Sequence, residues 1–316
     1  MSQIPEKKIM AEPKGFCSTG RRRNSRANSR NIRPPACSLP PEITSGQAPP
    51  GKRAVLCCVS YKNQKFELKG TSHDLKNMMD LLVGQFDFPR SSILVLAEKE
   101  PYKPPTRANM EAAFQWLTRG IQAGDSLVFY FSGHGLRQRG LHGDEVDGFD
   151  ESICPVDFET NGVILDNYIN KTLVEPMIED VKLHAIIDSC HSGTVLDLPG
   201  EWDANHISSN HFKGTRGGKV ISISACEDYQ LAADTSGFSP TKEMSGAMTW
   251  TFVKAVRNNR NITYQGILDD MHASLKQDDK VGCVGAGLRR VFQRKILQDP
   301  LLSSSHVFNT DTKFVL

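Results

Sequence analysis

His134 and Cys190 are the residues whose types and surroundings point most directly to chemistry. Each closes a run of strand-forming residues, Phe129-Tyr130-Phe131-Ser132-Gly133-His134-Gly135 in one case and Ile186-Ile187-Asp188-Ser189-Cys190-His191-Ser192-Gly193 in the other. A free thiol titrates near pH ~8.5, so little of it is thiolate at neutral pH; a neighbouring imidazole raises that fraction and later returns a proton to a departing amine. Cys190 is therefore the expected nucleophile and His134 the expected base and acid, with Gly133 and Gly135 leaving room for a substrate carbonyl to come close. No third member of a triad is evident. The bland alternative for a cysteine after an apolar run is a buried core thiol, and the accompanying Asp188, His191 and Gly193 weigh against it. His191 follows the nucleophile directly, is expected to point away from it, and is given a structural role. A zinc site on Cys190 and His134 would lack further ligands at recognisable spacing.

Two groups of acids add to this. A carboxylate at the rim or floor of a pocket attracts Arg or Lys and repels Asp, and Asp188 stands two residues before Cys190 at the end of its strand. A turn or cap is the structural alternative for Asp188. Cleavage after Asp would bury like charges together and is the less favoured specificity. Asp144, Glu145, Asp147, Asp150, Glu151 and Asp157 supply oxygen ligands of the kind calcium prefers. That segment fails the ligand pattern of an EF-hand loop, and such acid-rich loops are usually solvated.

Positioning a thiol and an imidazole 56 residues apart in sequence requires elements that end side by side. In an open parallel sheet, residues just past the carboxyl ends of adjacent strands gather in one crevice. The pattern agrees: Ala54–Val59, Ile93–Leu96, Leu127–Phe131, His184–Ile187 and Val220–Ser224 read as strands. Residues Ser72–Val83, with Leu75, Met78, Met79 and Leu82 on one face, read as a helix. Thr106 reads as the N-cap of a helix carrying Met110, Ala113, Phe114 and Leu117, and Gly246–Val256 and Thr263–Leu275 also read as helical. A short strand is expected around Val307-Phe308. The fold class is α/β, with a mostly parallel central sheet flanked by helices on both faces.

The 316-residue chain has a hydrophobic fraction of 39%, compatible with a sizeable core. Residues 1–53 hold 11 Lys/Arg against 3 Asp/Glu, so the formal net charge of +2 hides a mildly acidic body behind a basic tail. Residues 1–50, rich in Pro, Ser, Arg and Asn, read as a flexible prodomain. Contact of this tail with nucleic acid or acidic membrane is one reading, a merely solvated or targeting-like run the other. No segment has the apolar length of a signal sequence or a transmembrane span, so a cytoplasmic or nuclear location is the expectation. The eight cysteines show no framework spacing, and most are expected to be reduced.

Taken together and in this order, the Ser132–Gly135 and Asp188–Gly193 runs resemble the marks of the metacaspases, and specifically of the plant-like type I group within the caspase-like cysteine peptidases. The resemblance covers roughly residues 51–316. It implies a larger catalytic portion (51–197), an exposed linker loop (198–218) and a smaller portion (219–316). It implies an oxyanion hole from the N–H groups of Gly135 and Cys190, and a pocket for basic residues built from Asp188, Ser132 and Asp74; an N-terminal helix charge is the alternative for Asp74. It also implies calcium activation through Asp150, Asp166, Asn167 and Asp197. Relatives often have a second aspartate where Asn167 stands, so weaker calcium binding is expected. The family commonly has cysteine where Thr71 stands. Related plant proteins often carry an N-terminal zinc finger, but Cys17 and Cys37 alone cannot make a tetrahedral site, and no zinc is expected. The linker suggests self-processing after Lys213, Arg216 or Lys219, against the alternative of an ordinary solubilising loop.

The function expected on these grounds is that of a cysteine endopeptidase acting on protein substrates after exposed Arg or Lys. By resemblance it is a monomer with a role in cell death or stress responses. The alternative from another class is a weakly active or non-proteolytic regulatory scaffold of the same fold.

Overall fold

Lys52–Cys58 form β1, and the complete burial of Ala54, Val55, Leu56 and Cys57 marks a strand covered on both faces. In the computed structural model, residues 51–139, 149–190, 192–198, 200–201, 214–225, 234–235, 245–278 and 300–316 are described. After β1 come α1 (Thr71–Gln85), β2 (Ile93–Ala97), α2 (Arg107–Thr118), β3 (Ser126–Ser132), β4 (Gly135–Arg139), β5 (Phe149–Ile153), α3 (Phe158–Asn161), β6 (Ile164–Leu165) and α4 (Asp166–Ile169). The chain continues through β7 (Lys182–Asp188), β8 (Gly200–Glu201), β9 (Lys219–Ser224), β10 (Asp234–Thr235), β11 (Ser245–Gly246), α5 (Ala247–Asn258), α6 (Tyr264–Asp278) and β12 (Leu301–Ser304).

The central sheet has the order β2-β1-β3-β7-β9-β12-β8. Its first five strands are parallel; β12 runs antiparallel to β9, and the two-residue β8 antiparallel to β12. Strand alternation divides the core in two. Val55, Cys57, Phe129 and Phe131 pack with Met110, Phe114 and Leu117 of α2, with Ile153 and Ile164 of a small antiparallel sheet, β4-β5-β6, and with Cys154 just past β5. Ala54, Leu56, Cys58, Val128 and Tyr130 face the other way, against Met78 and Leu82 of α1, Phe252 and Val256 of α5, and Ile267 and Met271 of α6. Thr106 caps α2 as expected, its hydroxyl accepting from Asn109 N at 3.3 Å.

The last strand differs from expectation. Val307 is 84% exposed and lies outside any strand, while β12 forms at Leu301–Ser304. Half of β12 is serine, and its place is set by main-chain pairing to β9, Leu302 opposite Ile223 and Ser303 opposite Ser222. Hydrophobic patterning cannot register a strand recruited in this way.

Candidate active site

Three loops at the carboxyl ends of β1, β3 and β7 meet at His134. Ser132 is in register with Asp188, and Gly133 N–H donates to Asp188 O at 3.2 Å, tying the turn after β3 to the end of β7. A Cβ on Gly133 would lie 2.7 Å from Cζ of Phe131, so this turn needs glycine for space. The next amide, His134 N–H, donates to the Tyr61 hydroxyl at 2.9 Å, and that hydroxyl donates to Cys154 O at 2.6 Å. Tyr61 adopts a left-handed backbone, φ +51°, which a bulky residue keeps only when its surroundings impose it. The Glu98 carboxylate imposes it, accepting from the amides of Ser60, Tyr61 and Lys62 at 2.5, 2.8 and 3.0 Å.

The imidazole is held as firmly as its backbone. His134 Nε2 lies 2.7 Å from Phe66 O, and the Tyr61 ring lies 4.8 Å away, tilted 33°. A carbonyl only accepts, so Nε2 carries the proton and Nδ1 is left unprotonated. The Phe66 carbonyl is the orienting group that no side-chain motif records.

Cys190 follows β7 and is half-buried. A Cβ on Gly135 would run into the Cys190 carbonyl, so the glycine after His134 permits the two segments to touch. Cys154 N–H donates to His134 O at 2.9 Å; by the alternation of an antiparallel ladder, the Gly135 N–H then points away from β5. Burial pushes the Cys154 thiol up to about 12, with nearby Cys190 adding to the shift, and burial raises Cys57 and Cys58 too. These thiols stay protonated, which leaves Cys190 as the described cysteine suited to thiolate chemistry.

Asp188, Ser132 and Asp74, all buried, come together on the α5 side of the sheet. Asp188 Oδ2 accepts from Thr249 N at 2.9 Å and from Thr249 Oγ1 at 2.5 Å. Asp74 accepts from Gly246 N at 3.0 Å and, more weakly, from Ser132 Oγ at 3.4 Å. The start of α5 thus sits between two carboxylates, where its amides and dipole favour negative charge. Gly246 and Thr249 were not legible as site residues. Thr71 bonds Ser60, hydroxyl to hydroxyl at 2.7 Å, one turn of α1 before Asp74.

Asp166 accepts from Glu151 N at 2.6 Å and from Asn167 N at 2.5 Å. Burial nevertheless pushes its carboxyl up to about 7, with Asp197 and Asp150 adding like charge and the two amides opposing. Asp150, Asp166 and Asp197 are therefore neighbours, and Asn167 adjoins them in sequence. Among the described residues Asp150 Oδ1 is buried with no hydrogen-bond partner, an all-oxygen setting of the kind calcium takes. Among the described residues, however, no group of three His, Cys, Asp or Glu side chains is gathered closely enough to hold a metal ion. Adjacent Glu151 is bound to Arg137 Nε at 3.2 Å and to Thr194 Oγ1 at 2.6 Å.

Of the expected processing sites, Arg216 is exposed and pairs with Glu175 at 3.2 Å. Lys219 opens β9, its amide donating to Val181 O at 2.9 Å. Lys213, His191, Asp144, Glu145, Asp147 and the tail 1–50 lie outside the described residues.

A family model for the metacaspase peptidase C14 domain matches residues 52–199. Metacaspase-1 of Arabidopsis thaliana is 46% identical over 278 residues, 81% of this chain and 76% of its own. Metacaspase-3 of the same plant is 44% identical over 84% of this chain and 75% of its own, and metacaspase-1 of Pyricularia oryzae 32% over 83% and 74%. A crystal structure of a Geobacter sulfurreducens protein matches with a TM-score of 0.55 at 18% identity, covering 84% of this chain and 98% of its own, a likeness of fold alone. With relatives 32–46% identical over more than four fifths of its length, the chain belongs to the metacaspases, a family of cysteine peptidases.

Proposed function

We propose that the chain is an endopeptidase that cleaves after Arg or Lys, with Cys190 as nucleophile and His134 as base and acid. The observation that carries the specificity is the convergence of two buried carboxylates, Asp74 and Asp188, at the start of α5 beside the strand that leads to Cys190. A guanidinium or ammonium entering there gains charge-assisted hydrogen bonds, whereas an aspartate would be repelled. With the basic side chain so anchored, Cys190 Sγ attacks the scissile carbonyl carbon. The oxygen gathers charge beside the N–H groups of Gly135 and Cys190. His134 passes the thiol's proton to the nitrogen, the C–N bond breaks, and the amine leaves an acyl-enzyme. Water then attacks the thioester, giving its proton to His134 and releasing acid and thiol.

Asp150, Asp166, Asn167 and Asp197 are the residues proposed to hold calcium, whose positive charge would offset the repulsion among these acids. Titration of calcium should raise both the melting temperature and the activity; no change in either would remove calcium from the reading. Self-processing is proposed first at Lys213. Arg216 and Lys219 are the poorer candidates, because a peptidase needs an extended, unpaired chain, whereas Arg216 bridges Ile178 and the Lys219 amide donates to Val181 O. Intact-mass measurement of the purified protein against Cys190→Ala tests this. The family's expected part in cell death or stress responses fits a peptidase held inactive until calcium rises.

Matched fluorogenic peptides ending in Arg, Lys or Asp, with calcium or chelator, test the central claim. Cleavage after Arg and Lys that is absent in Cys190→Ala supports it, and cleavage after Asp overturns the pocket assignment. No cleavage under any condition would move a scaffold role ahead.

A further inference from the structure

We propose that Leu136 forms an apolar wall of the subsite for the residue that follows the scissile bond, so that the enzyme favours a large apolar residue there; this rests on the Cys190–His134 reading above. A lone exposed leucine needs no explanation in itself. The placement of this one does. Among the described residues the exposed large hydrophobics are Leu136, Val307 and Val315. The two valines lie near the end of the chain, whereas Leu136 is two positions from the imidazole. The β4–β5 pairing already begins at His134, whose carbonyl accepts from Cys154 N, so the segment is extended and His134 and Leu136 share a face.

Leu136 is 45% exposed, yet it is not a loop residue. It pairs with Ser152 across β4 and β5, and its carbonyl also accepts from Ser152 Oγ at 2.8 Å. An apolar side chain is thus held toward solvent on a fixed strand, as a preorganised subsite requires.

The geometry of the reaction brings the substrate to it. The carboxylates Asp74 and Asp188 lie on the α5 side of the central sheet, while His134 and the β4-β5-β6 sheet lie toward the α2 side. The residue before the scissile bond is anchored on the first side. The departing nitrogen receives its proton from His134, so the residue it belongs to emerges on the second. Gly135 abuts the Cys190 carbonyl through the face opposite to that of His134 and Leu136, so β4 begins against the Cys190 segment and leaves Leu136 on the imidazole's face. β4 is an outer strand of its three-stranded sheet, so the leaving segment can lie alongside it.

The test is a peptide library varied at the two positions flanking the scissile bond, cleaved by the calcium-supplemented full chain and by Leu136→Ser and Leu136→Met variants whose folding is checked by melting temperature. Wild type should cleave before Leu or Phe about tenfold faster in kcat/KM than before Gly or Asp. Leu136→Ser should bring that ratio close to one, and Leu136→Met should keep it. A ratio near one in wild type, or one that survives in Leu136→Ser, overturns the proposal. A Leu136-dependent ratio seen after residues other than Arg and Lys would support it while sinking the basic-residue reading. Cleavage of no peptide at all would overturn both.

Discussion

Tyr61 shows how much of the site depends on a residue without a chemical role. Its hydroxyl bridges the His134 amide and the Cys154 carbonyl, and its ring lies against the imidazole. In Tyr61→Phe the ring stays, but both groups lose their partner, at about 1–3 kcal/mol for each buried group left unsatisfied. The expected result is an unfolding free energy lower by about 2 kcal/mol or more and a several-fold lower kcat, read by urea denaturation and by turnover on a basic-residue peptide. Unchanged kcat would mean that the Phe66 carbonyl alone orients the ring. In the proposed function Asp188 acts on the substrate instead. Replacing it with Asn keeps the shape but removes a charge-assisted bond, so kcat/KM on arginyl peptides should fall about 10- to 100-fold. A fall of the same size on a peptide with a neutral residue in that position would count against a charge role. The difference in legibility follows the chemistry. The runs around His134 and Cys190 could be read because side chains in a distinctive order carry the family resemblance. The Phe66 carbonyl and the Tyr61 hydroxyl depend on a loop geometry that Glu98 enforces from just past the end of β2.

At the scale of elements, α5 is the part whose role composition could not reveal. Its helical pattern was legible, from apolar Met248, Phe252, Val253 and Val256, but its start also supplies the amides that hold Asp74 and Asp188. Gly246 is the close-approach point. Its φ of −63° and ψ of 132° suit any residue, so Gly246→Ala carries no backbone strain. The added Cβ would, however, run into the Asp188 carboxylate, which Thr249 fixes from two directions. Peptidase assays should therefore show a clear rise in KM for arginyl peptides, with melting temperature moving by only a few degrees. A large loss of melting temperature with KM preserved would place the clash in the fold rather than the pocket. The five parallel strands were legible for the reason that β12 was not: buried on both faces, they are continuous apolar runs, whereas Leu301–Ser304 joins by backbone pairing to β9.

Over the whole molecule, the end of the sheet opposite the site is built for permanence. The fully buried Arg53 guanidinium meets Asp125 at 3.0 Å and donates to the Arg119 carbonyl at 2.8 Å, while Asp125 also accepts from the Gly51 and Gln122 amides. Between that end and the α5–α6 layer lies His184, fully enclosed, 2.7 Å from the Tyr264 hydroxyl and edge-on to Phe314. Burial brings its pKa down from 6.5 to about 3, with Lys182 and Lys219 adding to the shift. The unfolded chain therefore binds a proton at His184 that the folded chain refuses between pH 3 and 6.5. Stability rises with pH wherever the unfolded state holds more protons, so this residue's contribution is complete above about pH 6.5 and is lost progressively toward pH 3, by at most about 1.4 kcal/mol per pH unit. Urea unfolding of the Cys190→Ala protein between pH 4 and 6.5, in chelator so that calcium linkage is absent, measures that slope. In a His184→Gln background the slope should flatten even if the absolute stability drops, because the titrating group is gone while the cavity is nearly refilled. An unaltered slope would assign the acid sensitivity to other groups and leave His184 a core residue of no electrostatic consequence.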